Sequence, residues 1–264
     1  MFFVSRVRIC CYNETMNPIS HNAIKREHAN ADTIVLFLHG FMGSPNQFSS
    51  CMEAVYRCGF SAVAPLLPGH GGDVKAFSAA ACADWQACVE AEIERCAARH
   101  KRVYLVGHSM GGLLALLAAS LPQSPIVGVF AIAPPLKVRL FAMKKLLLPF
   151  YAKSHPIRSA YREANSISDI RLFTLARLIA PTRELFRLMR AARVCLPRVT
   201  VPVCLVHSKG DETTAFSSAK LLYDGLHNAP RKALSLHKSW HAYYEPSEEA
   251  LIMEELLKVL NKQH

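Results

Sequence analysis

Ser109 is the residue of this sequence with the clearest chemical potential. It stands in Gly107-His108-Ser109-Met110-Gly111-Gly112, directly after the strand-like run Val103-Tyr104-Leu105-Val106 and directly before an almost wholly apolar stretch. A strand, then G-x-S-x-G, then a helix makes a sharp turn on which the serine hydroxyl projects clear of the backbone. Small residues two places either side let strand and helix approach closely, while the serine itself takes up a strained conformation. The helix N-terminus behind it presents unpaired N–H groups and the positive end of a dipole, both favourable to an oxyanion.

A serine hydroxyl attacks a carbonyl only when a base removes its proton. Two downstream segments can provide that base and the acid that orients it. Ser208-Lys209-Gly210-Asp211-Glu212 follows one short apolar run, and Lys238-Ser239-Trp240-His241 follows the next. Asp211 as orienting acid and His241 as base keep the chain order serine, acid, histidine of hydrolases built on such a turn. Glu212 is the rival acid, but Asp211 is the first carboxylate after the turn glycine. His237 is the rival base, and it is expected to end a strand rather than lie in the loop. For the oxyanion, the expected donors are two backbone N–H groups. One belongs to Met110, which follows the nucleophile, and the other to Phe41 in His39-Gly40-Phe41-Met42-Gly43.

Such a constellation needs strands whose carboxyl ends share one edge. Short apolar runs at residues 33–38, 60–65, 102–106, 126–132, 203–207 and 233–236 are closed by Gly, Pro or His, as buried parallel strands are. Helical stretches at 80–99, 113–120 and 247–260 fall between or after them. The alternation predicts an α/β fold with a mostly parallel central sheet and helices on both faces. It fails between residues 134 and 197, where prolines at 134, 135, 149, 156, 181 and 197 punctuate short helical pieces. Residues 134–197 therefore read as a helical cap inserted into a core made of 1–133 and 198–264. Within the cap, Arg183, Arg187 and Arg190 share one helical face and Leu185, Leu188, Met189 and Leu196 another.

LFLHGFMGSPNQF, APLLPGHGG, LVGHSMGG, the Asp211 turn and SWH together resemble the α/β-hydrolase superfamily, and within it the bacterial carboxylesterase and monoacylglycerol lipase branch. The likeness runs from about Thr33 to the C-terminus, the cap excepted. It implies a serine carboxylesterase or lipase acting on a small acyl ester through an acyl-enzyme, with no metal or organic cofactor and a cap roofing the acyl pocket. Thioester hydrolysis, acyl transfer, carbon–carbon hydrolysis and a non-catalytic homologue share the same frame. His70, in Pro68-Gly69-His70-Gly71, and Trp85 match positions of that branch and are expected to be structural. One departure is plain: the Asp211 turn continues Glu212-Thr213-Thr214, where such enzymes commonly carry apolar residues and proline.

The 264 residues, 51% hydrophobic and 19% charged, suit one globular domain. The longest apolar stretch, 111–121, is far too short to span a bilayer. The opening MFFVSRVRICCYNETMNP carries charges where a signal peptide needs a continuous apolar core. Nine scattered cysteines, odd in number and without a C-x-x-C pair, are expected to be reduced thiols in a cytoplasmic protein. Residues 134–198 hold fourteen Lys and Arg against three acids, which accounts for the whole formal charge of +11. Residues 136–153 mix those bases with Leu, Phe, Met and Tyr, so the cap is expected to meet an anionic lipid or an anionic substrate. Nucleic acid binding is not expected, since a basic face alone is nonspecific.

Overall fold

Apolar runs without polar alternation fold as strands covered on both sides, and this chain follows that rule. A computed structural model describes residues 20–139, 164–167 and 172–262. The strands are β1 (Ile24–Arg26), β2 (Thr33–Leu38), β3 (Ser61–Ala64), β4 (Arg102–His108), β5 (Ile126–Ile132), β6 (Val203–Ser208) and β7 (Arg231–Leu236). The helices are α1 (Ser49–Arg57), α2 (Val74–Ala79), α3 (Cys82–Ala97), α4 (Met110–Ala119), α5 (Ile179–Cys195), α6 (Ser217–Gly225) and α7 (Pro246–Asn261). One sheet runs in the order β1-β3-β2-β4-β5-β6-β7, parallel throughout except for the antiparallel β1. This is the α/β architecture read from the sequence.

Side chains of β2 alternate between the two faces. Ile34, Leu36 and Leu38 join a cluster with residues of α2, α3, α4, α5 and α6, while Val35 and Phe37 join one with α1 and α7. Trp85 of α3 is fully buried in the first cluster, and its Nε1–H donates to the Pro68 carbonyl at 3.0 Å. Each large apolar side chain so buried contributes about 1.5–3 kcal/mol.

The order of strands also decides where a site can form. From β2 the chain moves outward to β3, then returns with β4 on the other side of β2. Loops leaving the carboxyl ends of β2 and β4 therefore diverge, and the crevice between them is the switch point at which α/β sheets bind their ligands.

The structure adjusts several bounds. The first strand and helices α1, α2 and α6 were not legible as periodic apolar runs; β1 is only three residues long and mostly exposed. Helix α4 starts at Met110 rather than 113, because Gly111 and Gly112 are drawn into it by packing despite their poor helix propensity. Strand β7 begins two residues early, at Arg231, and as an edge strand it is more exposed than a central one, with Lys232 paired to Glu255 at 2.7 Å. His237 does not end this strand: β7 stops at Leu236, and His237 is the first, exposed residue of the following loop. Of the stretch 136–153, residues 140–153 lie outside the described residues, as do the first nineteen residues. No helix among the described residues is long and apolar enough to cross a membrane.

Candidate active site

Strand β4 ends at His108, and the next residue, Ser109, has φ 53° and ψ −117° before α4 begins at Met110. A positive φ on a non-glycine residue is strained and persists only where its surroundings enforce it. Here the Ser109 N–H donates to Ile132 O at 2.8 Å, and its carbonyl accepts from Gly112 and Leu113 in α4. The flanking glycines are required by contact. A methyl on Gly107 would come 2.3 Å from Gly111 O, and one on Gly111 would come 1.9 Å from Leu38 O. The elbow is thus wedged between β2 and its own helix.

The base arrives from the far side of the sheet. His241 Nε2 lies 3.0 Å from Ser109 Oγ, and His241 Nδ1 lies 2.8 Å from Asp211 Oδ2. A carboxylate can only accept, so Nδ1 carries the proton and Nε2 is free to take the serine's. The other oxygen of Asp211 accepts from the N–H groups of Thr213 and Thr214 at 2.8 and 2.7 Å, which fixes the carboxylate plane. Burial alone would raise the Asp211 pKa, but His241 and these donors hold it below the ordinary value. Burial pulls His241 down, yet the Asp211 charge and hydrogen bond outweigh it and leave the imidazole more basic than usual. Ser109, Asp211 and His241, singled out by type and order, are brought into one hydrogen-bonded chain.

The loop that carries Phe41 lies against the Ser109 turn. A methyl on Gly40 would lie 3.2 Å from Ser109 Cβ, so the loop after β2 passes directly over the nucleophile. His39 holds that loop: its Nδ1–H donates to Gly40 O and its Nε2 accepts the Leu67 N–H, each at 3.0 Å. Among the described residues the Phe41 N–H has no acceptor, and Met110, first residue of α4, has an N–H with no place in the helix ladder. Ser166 braces the same loop from outside, its N–H on Met42 O and its hydroxyl on Gly43 O.

Sequence reasoning missed three supports. Glu248, in the first turn of α7, is 8% exposed. Its carboxylate accepts the N–H groups of His237, Lys238 and Ser239 and the Ser239 hydroxyl, at 2.7, 3.1, 2.8 and 2.6 Å. Burial would raise its pKa, but these donors bring it down to about 2. Glu212, the rival acid, does not face the imidazole; its Oε2 accepts the His241 backbone N–H at 2.9 Å. His108 donates from Nε2 to the His241 carbonyl at 2.8 Å. A helix-start carboxylate was the one available signal for Glu248; Glu212 was marked only as a rival acid and a departure from the pattern, and nothing local marked His108.

Four further histidines surround the site as neutral groups. Burial holds His70 and His207 at about 4, His108 at about 3, and His39 well below its ordinary value. His70 packs against His39 and Phe77 and donates to Pro68 O, a structural role as expected. Among the described residues no group of three His, Cys, Asp or Glu side chains is arranged to hold a metal ion.

Known proteins resemble this chain over most of its length. The family model Hydrolase_4, described as serine aminopeptidase, S33, matches residues 29–247. A thermostable monoacylglycerol lipase from Bacillus sp. (strain H-257) is 25% identical over 239 residues, 88% of this chain and 92% of that protein. A solved structure of the metagenome-derived lipolytic enzymes LipS and LipT superposes with a TM-score of 0.73 at 22% identity, over 92% of this chain and 98% of that one. The monoacylglycerol lipase of Paleococcus ferrophilus follows at 0.69 and 18%, over 92% of this chain and 100% of that one. At these identities the structural matches establish the shared fold.

Proposed function

The chain belongs to the Hydrolase_4 (serine aminopeptidase, S33) family of α/β hydrolases, and on that premise we propose that it is a serine carboxylesterase or small lipase using Ser109, His241 and Asp211. The observation that carries this reading is the unbroken chain Ser109 Oγ, His241 Nε2, His241 Nδ1, Asp211 Oδ2 at 3.0 and 2.8 Å. The relatives described as lipases and lipolytic enzymes favour an ester over an amide.

In this mechanism His241 takes the Ser109 proton as Oγ attacks the ester carbonyl, and Asp211 stabilises the imidazolium. The Phe41 and Met110 N–H groups receive the oxyanion, each worth about 10²–10³ in turnover. His241 then protonates the departing alcohol, and water activated by the same imidazole releases the acid from the acyl-enzyme. Residues 134–197 are kept in this reading as an insert into the core, of which 140–163 and 168–171 lie outside the described residues.

The substrate is lipid-like and presented at an anionic surface. Support for this comes from α5, where Ile179, Phe186 and Val194 are exposed beside Arg183, Arg187 and Arg190, while Leu188, Met189 and Ala192 are buried on the opposite face. Apolar side chains that reach into a headgroup layer and arginines that meet phosphates fit such a surface.

A panel of p-nitrophenyl esters of increasing acyl length, with and without anionic vesicles, tests both statements. Hydrolysis should be abolished in Ser109→Ala, together with covalent labelling by a fluorophosphonate. Folded protein that neither labels nor hydrolyses would overturn the enzyme reading. Turnover and binding indifferent to vesicles at every salt concentration would remove the lipid surface from it.

A further inference from the structure

The turn after β6 departs from the pattern it otherwise resembles by placing Glu212 directly after the triad acid, and the structure gives that carboxylate a definite partner. His241 stands in an irregular loop between β7 and α7, so no ladder of backbone hydrogen bonds fixes its Cα. Three side chains reach its backbone: the Tyr244 hydroxyl, from the same loop, donates to its carbonyl at 3.4 Å, and two shorter contacts come from other elements. Glu212 Oε2 accepts its N–H at 2.9 Å, and His108 Nε2–H donates to its carbonyl at 2.8 Å. Each of these residues is the chain neighbour of a group that holds the imidazole, His108 of Ser109 and Glu212 of Asp211.

We propose that Glu212 and His108 are positioning residues that clamp the backbone of His241 at its N–H and its carbonyl, so that the turns carrying nucleophile and acid also set where the base stands. The proposal rests on the triad reading above. The two turns carry both the side-chain and the main-chain contacts, and the imidazole is located relative to its partners rather than to its own loop. Displacing a catalytic group by about 1 Å costs about 10²-fold in rate, which is why such a device matters. His108 is suited to its half of the clamp. It is 6% exposed, its Nδ1 has no partner among the described residues, and burial keeps it neutral, so Nε2 is always the protonated nitrogen. Glu212 has a second effect, because its charge makes the imidazole more basic. The other groups around His241 are Asp211 on the same turn, His207 at the end of β6, His108 at the end of β4 and Tyr244 in its own loop. Of these, only Asp211 shares the negative charge.

Glu212→Ala and Glu212→Gln separate hydrogen bond from charge, since glutamine keeps an acceptor oxygen. The readouts are kcat and KM on p-nitrophenyl butyrate across pH, the rate of Ser109 labelling by a fluorophosphonate, and the His241 titration followed by NMR. Glu212→Ala is expected to lose about tenfold in kcat and in labelling rate with KM unchanged. Glu212→Gln is expected to recover most of that loss. In both variants the acid limb and the His241 titration should move to lower pH by about half a unit. A Glu212→Ala enzyme within about twofold of the parent in kcat and in labelling rate would overturn the clamp, whatever its titration. So would a Glu212→Gln enzyme no better than Glu212→Ala. Should the alanine variant not fold, Glu212→Met, which fills similar space without a hydrogen-bonding oxygen, takes its place with the same expected loss. A parent protein inert towards esters and fluorophosphonate alike sinks the enzyme reading, and a His241 backbone amide resonance unmoved by Glu212→Ala sinks the clamp separately.

Discussion

Glu248→Gln is the substitution whose consequence follows most directly from the structure. The carboxylate sits 8% exposed at the start of α7 and gathers three consecutive backbone N–H groups and a hydroxyl from residues 237–239. Those donors take its pKa from an ordinary value of 4.5 to about 2. At about 1.4 kcal/mol per pH unit the difference corresponds to about 3 kcal/mol of stability, or about 2 once solvent access to the loop is allowed for. Because the folded-state pKa is the lower one, this stability is complete above 4.5 and is lost as pH falls towards about 2. Near pH 3.5 about two-fifths of it is gone. Glutamine has no such titration and also turns an amide donor towards backbone donors. Urea unfolding followed by tryptophan fluorescence should place Glu248→Gln about 2 kcal/mol below the parent near pH 7, with the gap smaller by about 0.8 kcal/mol near pH 3.5. A gap under about 0.5 kcal/mol, or one equal at the two pH values, would refute the reasoning.

Asp211→Asn should lower kcat by about 10⁴-fold with little change in KM, and Glu212 should not replace it, since its carboxylate is engaged on the His241 N–H. Activity in the parent should fall as pH drops through a single ionisation displaced above 6.5, because His241 is the one site histidine made more basic while His39, His70, His108 and His207 are held neutral by burial; a pH–rate profile with two acid-side ionisations would contradict this. Gly111→Ala puts a methyl 1.9 Å from Leu38 O, and a loss of more than about 3 kcal/mol, read as a lowered melting temperature, is expected.

The proposed triad was legible because each member sits in the loop that follows a predicted strand, where residue type and chain order carry the information. Strands β2 and β5 match their expected bounds because both faces are covered and every residue except Thr33 and Gly128 carries an apolar side chain. Strand β1, with one buried neighbour and the sequence Ile-Lys-Arg, has no periodicity to find. Glu212, Glu248 and His108 escaped for a different reason. Each acts on a backbone group distant in sequence, 29, 9 and 133 residues away, and a partner of that kind leaves no trace in local pattern. The Glu-Thr-Thr departure after Asp211 was visible as an anomaly, but its meaning needed the third dimension.

The distance along the chain between Ser109 and His241 also bears on biosynthesis. The base lies 132 residues beyond the nucleophile and on the loop after the last strand of the sheet. At about 5–20 residues per second, the serine leaves the ribosome roughly 7–26 seconds before its histidine. Throughout that interval β4 and α4 can form the elbow, yet His241, the proposed base, has not been made. On the proposed triad the nascent chain is hydrolytically silent until β7 and the loop after it are made, and a product truncated before β7 is expected to carry Ser109 without its base.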